Sequence, residues 1–272
     1  MRGLTLALLL LAVSLAPPAA IGQVSPITVV AEPRVSPDAG ADFTRAADLT
    51  LRFYRETYGL ELTRPIRLIL TADAAAYAAA MMREWNIGQA EADRRIRTTS
   101  GWTSGATVIV NVGNTTTPRA RLFLASHELT HQYQIQTSAP TGAWALYWFT
   151  EGVADVIGAR VVDRGGAGAL ADTRAMWIDA LRRAPVRPDL NQIATEPAWF
   201  AALHVYGPGV TYRSAAMAAL YLAEIRGYPP LMAFFAALRD AREPEPAFQR
   251  AAGMRLEEFV VEYRAHLDRW LQ

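Results

Sequence analysis

Two of the four histidines in this 272-residue chain, His127 and His131, stand four apart in the stretch FLASHELTHQYQIQ, with Glu128 beside the first. On a helix, four residues turn about 40° and rise about 6 Å, so both imidazoles can meet one ion. Glu128 is turned about 100° from His127, which sets its carboxylate beside that ion as a base for a bound water. The pattern is H-E-x-x-H, the spacing of a metal-dependent hydrolytic centre. A helical wheel separates it from the core face, since Leu122, Ser126, Leu129 and Tyr133 form one stripe and the histidines lie about 140–180° away.

Two imidazoles leave a catalytic zinc one protein ligand short, because such sites take three and keep the last position for water. Nineteen residues separate His131 from Glu151 in WFTEGVADV, a distance that suits a loop and the start of a second helix packing back on the first. Asp155 follows Glu151 by four on the same helical face, where it can hold a ligand histidine's other ring nitrogen. An acidic pair at this spacing is by itself an ordinary solvated helix face. The histidine motif upstream is what makes Glu151 a ligand candidate.

These side chains need two packed helices and a frame to hold them. ITVVAEP reads as a short strand, and SPDAGADFTRAADLTLRFYRETYGL as an amphipathic helix with Ser36 as N-cap and Pro37 in its first turn. RPIRLILTA reads as a second strand, DAAAYAAAMMREWNIG as a helix capped by Asp73 and stopped near Gly88, and GATVIVNVG as a third strand. From TTTPRARLFLASHELTHQYQIQ onward the pattern is almost wholly helical. The motif helix opens at Thr117 and Pro118 and runs to about Gln136. WALYWFTEGVADVIGARVVD gives one or two helices and GALADTRAMWIDALRRA another, PVRPDLNQIATEPAWFAALHVYGPG reads as irregular, and the last third gives four helical segments.

All 27 basic residues are arginines, and the chain has no lysine and no cysteine. Schiff-base chemistry, a P-loop lysine, a thiol nucleophile, disulfides and cysteine-based metal sites are thereby excluded. MRGLTLALLLLAVSLAPPAAIGQ opens with Arg2, continues as an apolar run and ends in small residues, so residues 1–22 are expected to be a signal peptide. The run is short for a membrane anchor, and no later segment is apolar enough to span a bilayer. The protein is therefore expected to be secreted or periplasmic, without stable membrane insertion once the leader is cut. Removing Arg2 leaves 26 basic against 26 acidic residues, which gives no electrostatic ground for a nucleic-acid partner. Composition carries no signal of oligomeric state.

HELTH followed by WFTEGVAD resembles the gluzincin metallopeptidases, in which two histidines and a glutamate from the next helix bind zinc. More closely it is similar to the peptidase MA-like group of secreted bacterial proteins, related to the thermolysin and membrane-alanyl-aminopeptidase families. The resemblance covers roughly residues 100 to 270. Together with the strand–helix pattern upstream, it gives the expectation of an α+β, zincin-like fold: a small N-terminal α/β lobe with a mixed sheet over residues 23–113, then a mostly helical part over 114–272, with the zinc site between them in one catalytic domain. It further implies one zinc ion on His127, His131 and Glu151, Glu128 as general base, and a peptide or protein substrate. By the same likeness Tyr212, in VTYRSAAMAALYLAEIRG, takes the place of a phenol that supports the oxyanion, with Tyr206 and His204 as alternatives. No G-x-M-E-N-type motif precedes the motif helix, so aminopeptidase specificity is not implied. ATVIVNV is either an edge strand that pairs with an extended substrate or an ordinary buried strand. Two rival readings of the whole remain at this level: a zinc-binding scaffold without activity, and a hydrolase of non-peptide amides or esters.

Overall fold

The computed structural model describes residues 25–139, 142–241 and 243–272, so the expected signal peptide lies outside the described residues. Four strands, β1 (Ile27–Ala31), β2 (Ile66–Thr71), β3 (Gly101–Ser104) and β4 (Thr107–Asn111), form one sheet in the order β1-β2-β4-β3. β1, β2 and β4 run parallel, and β3 pairs antiparallel with β4, so the sheet is mixed. Alternation along the strands sorts residues to two faces. Leu68, Leu70, Val108 and Val110 pack under α1 (Pro37–Tyr58) and α4 (Pro118–Thr137), while Ile69 and Ile109 face α2 (Ala74–Trp85) and α3 (Gln89–Thr98).

Local signals place these helices where the chain pattern puts them. The hydroxyls of Ser36 and Thr117 and the carboxylate of Asp73 each accept from the backbone N–H three residues on, and α1 and α4 carry proline in the first turn. The stripe on α4 meets α1 as the wheel requires: Thr50 Oγ1 donates to Ser126 Oγ (2.9 Å), and Tyr54 stacks on Tyr133 with centroids 3.6 Å apart. Every residue from Ala125 to Gln134 is buried, because α5 (Tyr147–Arg164) covers the opposite side of α4.

The rest of the chain is helical. α6 (Leu170–Arg183), α7 (Glu196–Tyr206), α8 (Pro208–Arg226), α9 (Pro229–Ala241), α10 (Pro244–Ala252) and α11 (Leu256–Leu271) gather around α5, with Trp148, Phe149, Phe234, Phe248 and Phe259 at the centre. The protein is thus mostly helical with a small mixed sheet. Among the described residues no helix is long and apolar enough to cross a membrane.

Of the two readings of ATVIVNV the structure shows the buried strand, since β4 lies between β2 and β3. Three elements depart from the sequence reading. The sheet edge is the short β3, GWTS, which folds back on β4 through a turn at Gly105. α3 occupies the stretch after Gly88, and α7 forms in the segment read as irregular.

The approach of α5 to α8 depends on Gly152, next to Glu151. A Cβ there would stand 2.3 Å from the carbonyl oxygen of Ala215 and 3.2 Å from the Cβ of Ala219. The absence of a side chain lets the helix that carries Glu151 lie directly on the helix that carries Tyr212. Gly152→Ala is accordingly expected to cost about 1–3 kcal/mol in chemical unfolding, the usual range for overpacking. Unchanged stability would contradict this close approach.

Candidate metal centre

α4 and α5 bring His127, His131 and Glu151 to one point. All three are buried, and their ligand atoms lie within 4.8 Å of one another. The two Nε2 atoms are 3.2 Å apart, and Glu151 Oε2 stands 3.4 Å from that of His127 and 3.6 Å from that of His131.

The hydrogen bonds behind the rings decide what faces the centre. His127 Nδ1 lies 2.8 Å from Asp155 Oδ1, so a neutral ring donates there and keeps its Nε2 lone pair free. His131 Nδ1 lies 2.7 Å from Gln134 Oε1. The Gln134 amide is itself oriented, because its Nε2 donates to the Thr150 carbonyl at 2.9 Å, leaving the oxygen for the histidine. Both imidazoles therefore present lone pairs toward a carboxylate oxygen that has no hydrogen-bond partner of its own. Three convergent acceptors without a proton between them repel, and a cation at their centre removes the conflict. Their donor set of two imidazoles and one carboxylate, close enough to share one ion, fits a metal.

In the metal-free protein a proton can stand in for the ion. Burial opposes charge on His127, but the Asp155 carboxylate bonded to its Nδ1 and the Glu151 carboxylate beside its Nε2 outweigh this and hold its pKa well above the usual imidazole value. Burial likewise raises the Glu151 carboxyl, yet His131 and His127 beside it pull it down to about 2. Burial raises Asp155, with His127 pulling the other way.

Glu128 stays out of the ligand triangle. Thr103 Oγ1, on β3, donates to its Oε2 at 2.7 Å, and a Cβ on Gly101 would stand 2.4 Å from its Oε1. The edge strand thus lies directly against this carboxylate, and glycine is what permits it. Burial raises the Glu128 carboxyl, with His127 and His131 opposing.

Tyr212 sits on the first turns of α8, its ring 6.2 Å from that of His127 and edge-on to Trp199 at 5.0 Å. Burial and then Glu151 push its pKa well above the ordinary phenol value, so it is an O–H donor beside the centre. The alternatives stand elsewhere: Tyr206 reaches Gln192, and His204 lines a separate cavity with Arg94 and Arg97. The WALYWF cluster divides, with Trp148 and Phe149 in the core and Trp144 packed 5.0 Å from the His131 ring. Sequence reading missed Thr103, Gln134 and the wall formed by Trp199 and Phe200. Only Gln134 left a trace there, as the polar residue three beyond His131 on the motif helix.

None of the protein-family models matches this chain, and a search of curated proteins returns no match.

If Asp155 and Gln134 set the tautomers, Asp155→Ala and Gln134→Leu should each weaken metal affinity about 10–100-fold in chelator competition. Affinity of the parent should fall as pH falls through the raised His127 pKa, because proton and metal compete for Nε2. Affinity unchanged in both variants and flat with pH would refute this arrangement.

Proposed function

We propose that the chain is a zinc-dependent metallopeptidase of the gluzincin type on a zincin-like fold, exported to the periplasm or beyond. The observation that carries this is the triangle of ligand atoms. Ligands at about 2.0–2.1 Å on the corners of a tetrahedron stand about 3.3–3.4 Å apart, and the three edges here are 3.2, 3.4 and 3.6 Å. Histidine and carboxylate donors without sulfur, three in number with room for a fourth ligand, suit catalytic zinc.

Bound there, zinc supplies Lewis-acid chemistry, acidifying a water and polarising a carbonyl. The chain's own groups do the rest. Glu128 takes the proton of the attacking water, and with Oε2 held by Thr103 it works through Oε1. It then returns that proton to the leaving amine, whose departure breaks the peptide bond. Tyr212 donates its O–H to the oxygen on which negative charge develops. Asp155 and Gln134 keep the two histidines in the tautomer that leaves Nε2 free. β3, the sheet edge beside Glu128, offers backbone groups to an extended peptide. A base held by its own strand and kept apart from the ligands supports hydrolysis over a purely structural metal site.

Glu128→Gln should retain zinc and cleave a peptide library about 10²–10⁴-fold more slowly than the parent. Parent kcat should decline once pH falls far enough to protonate Glu128, since the base must be ionised. Equal rates for parent and variant would overturn the proposal.

A further inference from the structure

A cleft of about 500 Å³ opens from the metal centre along α4. That size suits a bound peptide segment. Its floor is the α4 face that carries Arg119, Phe123 and His127, and its walls include Val162, Trp177 and Met176. Most of the lining surface is apolar, with the hydroxyls of Thr98, Thr99, Ser100, Thr115, Thr117 and Thr173 set into it. Its charged residues are of two kinds: Glu128 and Asp155 at the metal end with His127, and two arginines, Arg119 and Arg213.

Neither arginine has a carboxylate within ion-pair distance among the described residues. Arg119 Nη2 donates to Thr173 Oγ1 at 2.8 Å, and Arg213 Nη1 donates to the Gly209 carbonyl at 2.7 Å. Each guanidinium has five donors, so most remain unused, and the buried Nε of Arg213 has no partner. The contrast with Arg121 is direct: two residues from Arg119, it pairs with Asp42 at 2.8 Å. Arg213 feels the Asp155 carboxylate in the same cleft, whereas the half-buried Arg119 guanidinium, at the far end, is placed for an anion from outside the protein.

The spacing sets the length of what binds. Arg119 lies eight positions before His127 on α4, about 12 Å of helix rise, and an extended peptide covers about 3.3 Å per residue. Three to four residues therefore bridge the metal and the arginine. The pocket that His127, His131 and Glu151 themselves line, with Glu128, Trp144, Trp199 and Phe200, holds only about 20 Å³, room for about one water. The larger space beside it is the cleft on the arginine side.

We propose that this cleft is the subsite for a short apolar peptide segment ending in a carboxylate, which Arg119 receives about three residues from the cleaved bond, with Arg213 adding positive charge from the wall of the same cleft. The substrate class is then a peptide with an anionic end, and the inference rests on the peptidase reading for its chemistry but not for its binding.

Three peptides of one apolar sequence test it on the zinc-loaded full chain: a free C-terminal acid, the C-terminal amide, and the amide with glutamate as last residue. Cleavage is read as kcat/KM, and binding is read by tryptophan fluorescence on the Glu128→Gln chain, Trp177 lying in the cleft wall. The acid should exceed the amide roughly tenfold to a hundredfold in both readouts, the factor expected of charge-assisted hydrogen bonds. A glutamate peptide that behaves like the acid assigns the site to either source of carboxylate, and one that behaves like the amide assigns it to the chain terminus. Arg119→Gln and Arg213→Gln, separately and together, should collapse the acid-to-amide ratio toward one. That ratio is measured within one protein and is insensitive to how much of a variant folds. Cleavage with equal rates for acid and amide overturns the subsite and leaves the peptidase reading intact. Acid-selective binding without cleavage of any peptide supports the subsite and overturns the peptidase reading. Neither cleavage nor selectivity overturns both.

Discussion

Three lone pairs aimed at one point between α4 and α5 are what the surrounding packing has to hold in place. Two hydrogen bonds that fix the imidazole tautomers also tie the helices together: Asp155 reaches from α5 to His127, and Gln134 on α4 joins His131 to the Thr150 carbonyl of α5. Tautomer and register are therefore one constraint. A slip of α5 along α4 would both unaim the rings and misplace Glu151. The buried carboxylates of Glu128, Glu151 and Asp155 around the same point are costly without a compensating positive charge. A metal bound there would stabilise this region as well as supply its proposed chemistry.

The remaining groups come from elements that this helix pair organises. β3 brings Thr103 and Gly101 against Glu128 from the sheet side, so the proposed base is held by hydrogen bonding while the candidate ligands are held by the helices. α8 brings Tyr212 from the other side, and its approach is set by contact with α5 at Gly152. A glycine beside the glutamate ligand thus has a packing reason that is independent of metal binding. The cleft along α4 then gives the centre one roomy approach, lined with apolar groups and guarded by arginines.

Much of this was legible in the sequence because it is carried by local chemistry. The caps at Ser36, Asp73 and Thr117, the stripe opposite the histidines and the spacing from His131 to Glu151 all depend on residues close together in the chain. The misses have physical causes. α3 is rich in charge and buries only Ala92, so it lacks an apolar face to read. β3 is four residues long, below the length at which alternation is visible. α7 follows a stretch dense in proline, and Pro197, which looks like a breaker, sits in the first turn where proline is tolerated. Thr103 and Gln134 act through partners that only the tertiary fold supplies, and an amide's donor and acceptor roles are fixed by those partners. The edge position of β3 was likewise a matter of topology, since β4 has the composition of a substrate strand but lies one place inside it.

The central claim is that His127, His131 and Glu151 hold one zinc ion, and zinc-edge X-ray absorption on the purified, zinc-loaded chain addresses it most directly. The account predicts one ion bound by two imidazole nitrogens with carboxylate and water oxygens at about 2.0–2.2 Å, and half the imidazole signal lost in His131→Ala. Coordination by oxygen alone, or a chain that retains no zinc after desalting, would contradict it.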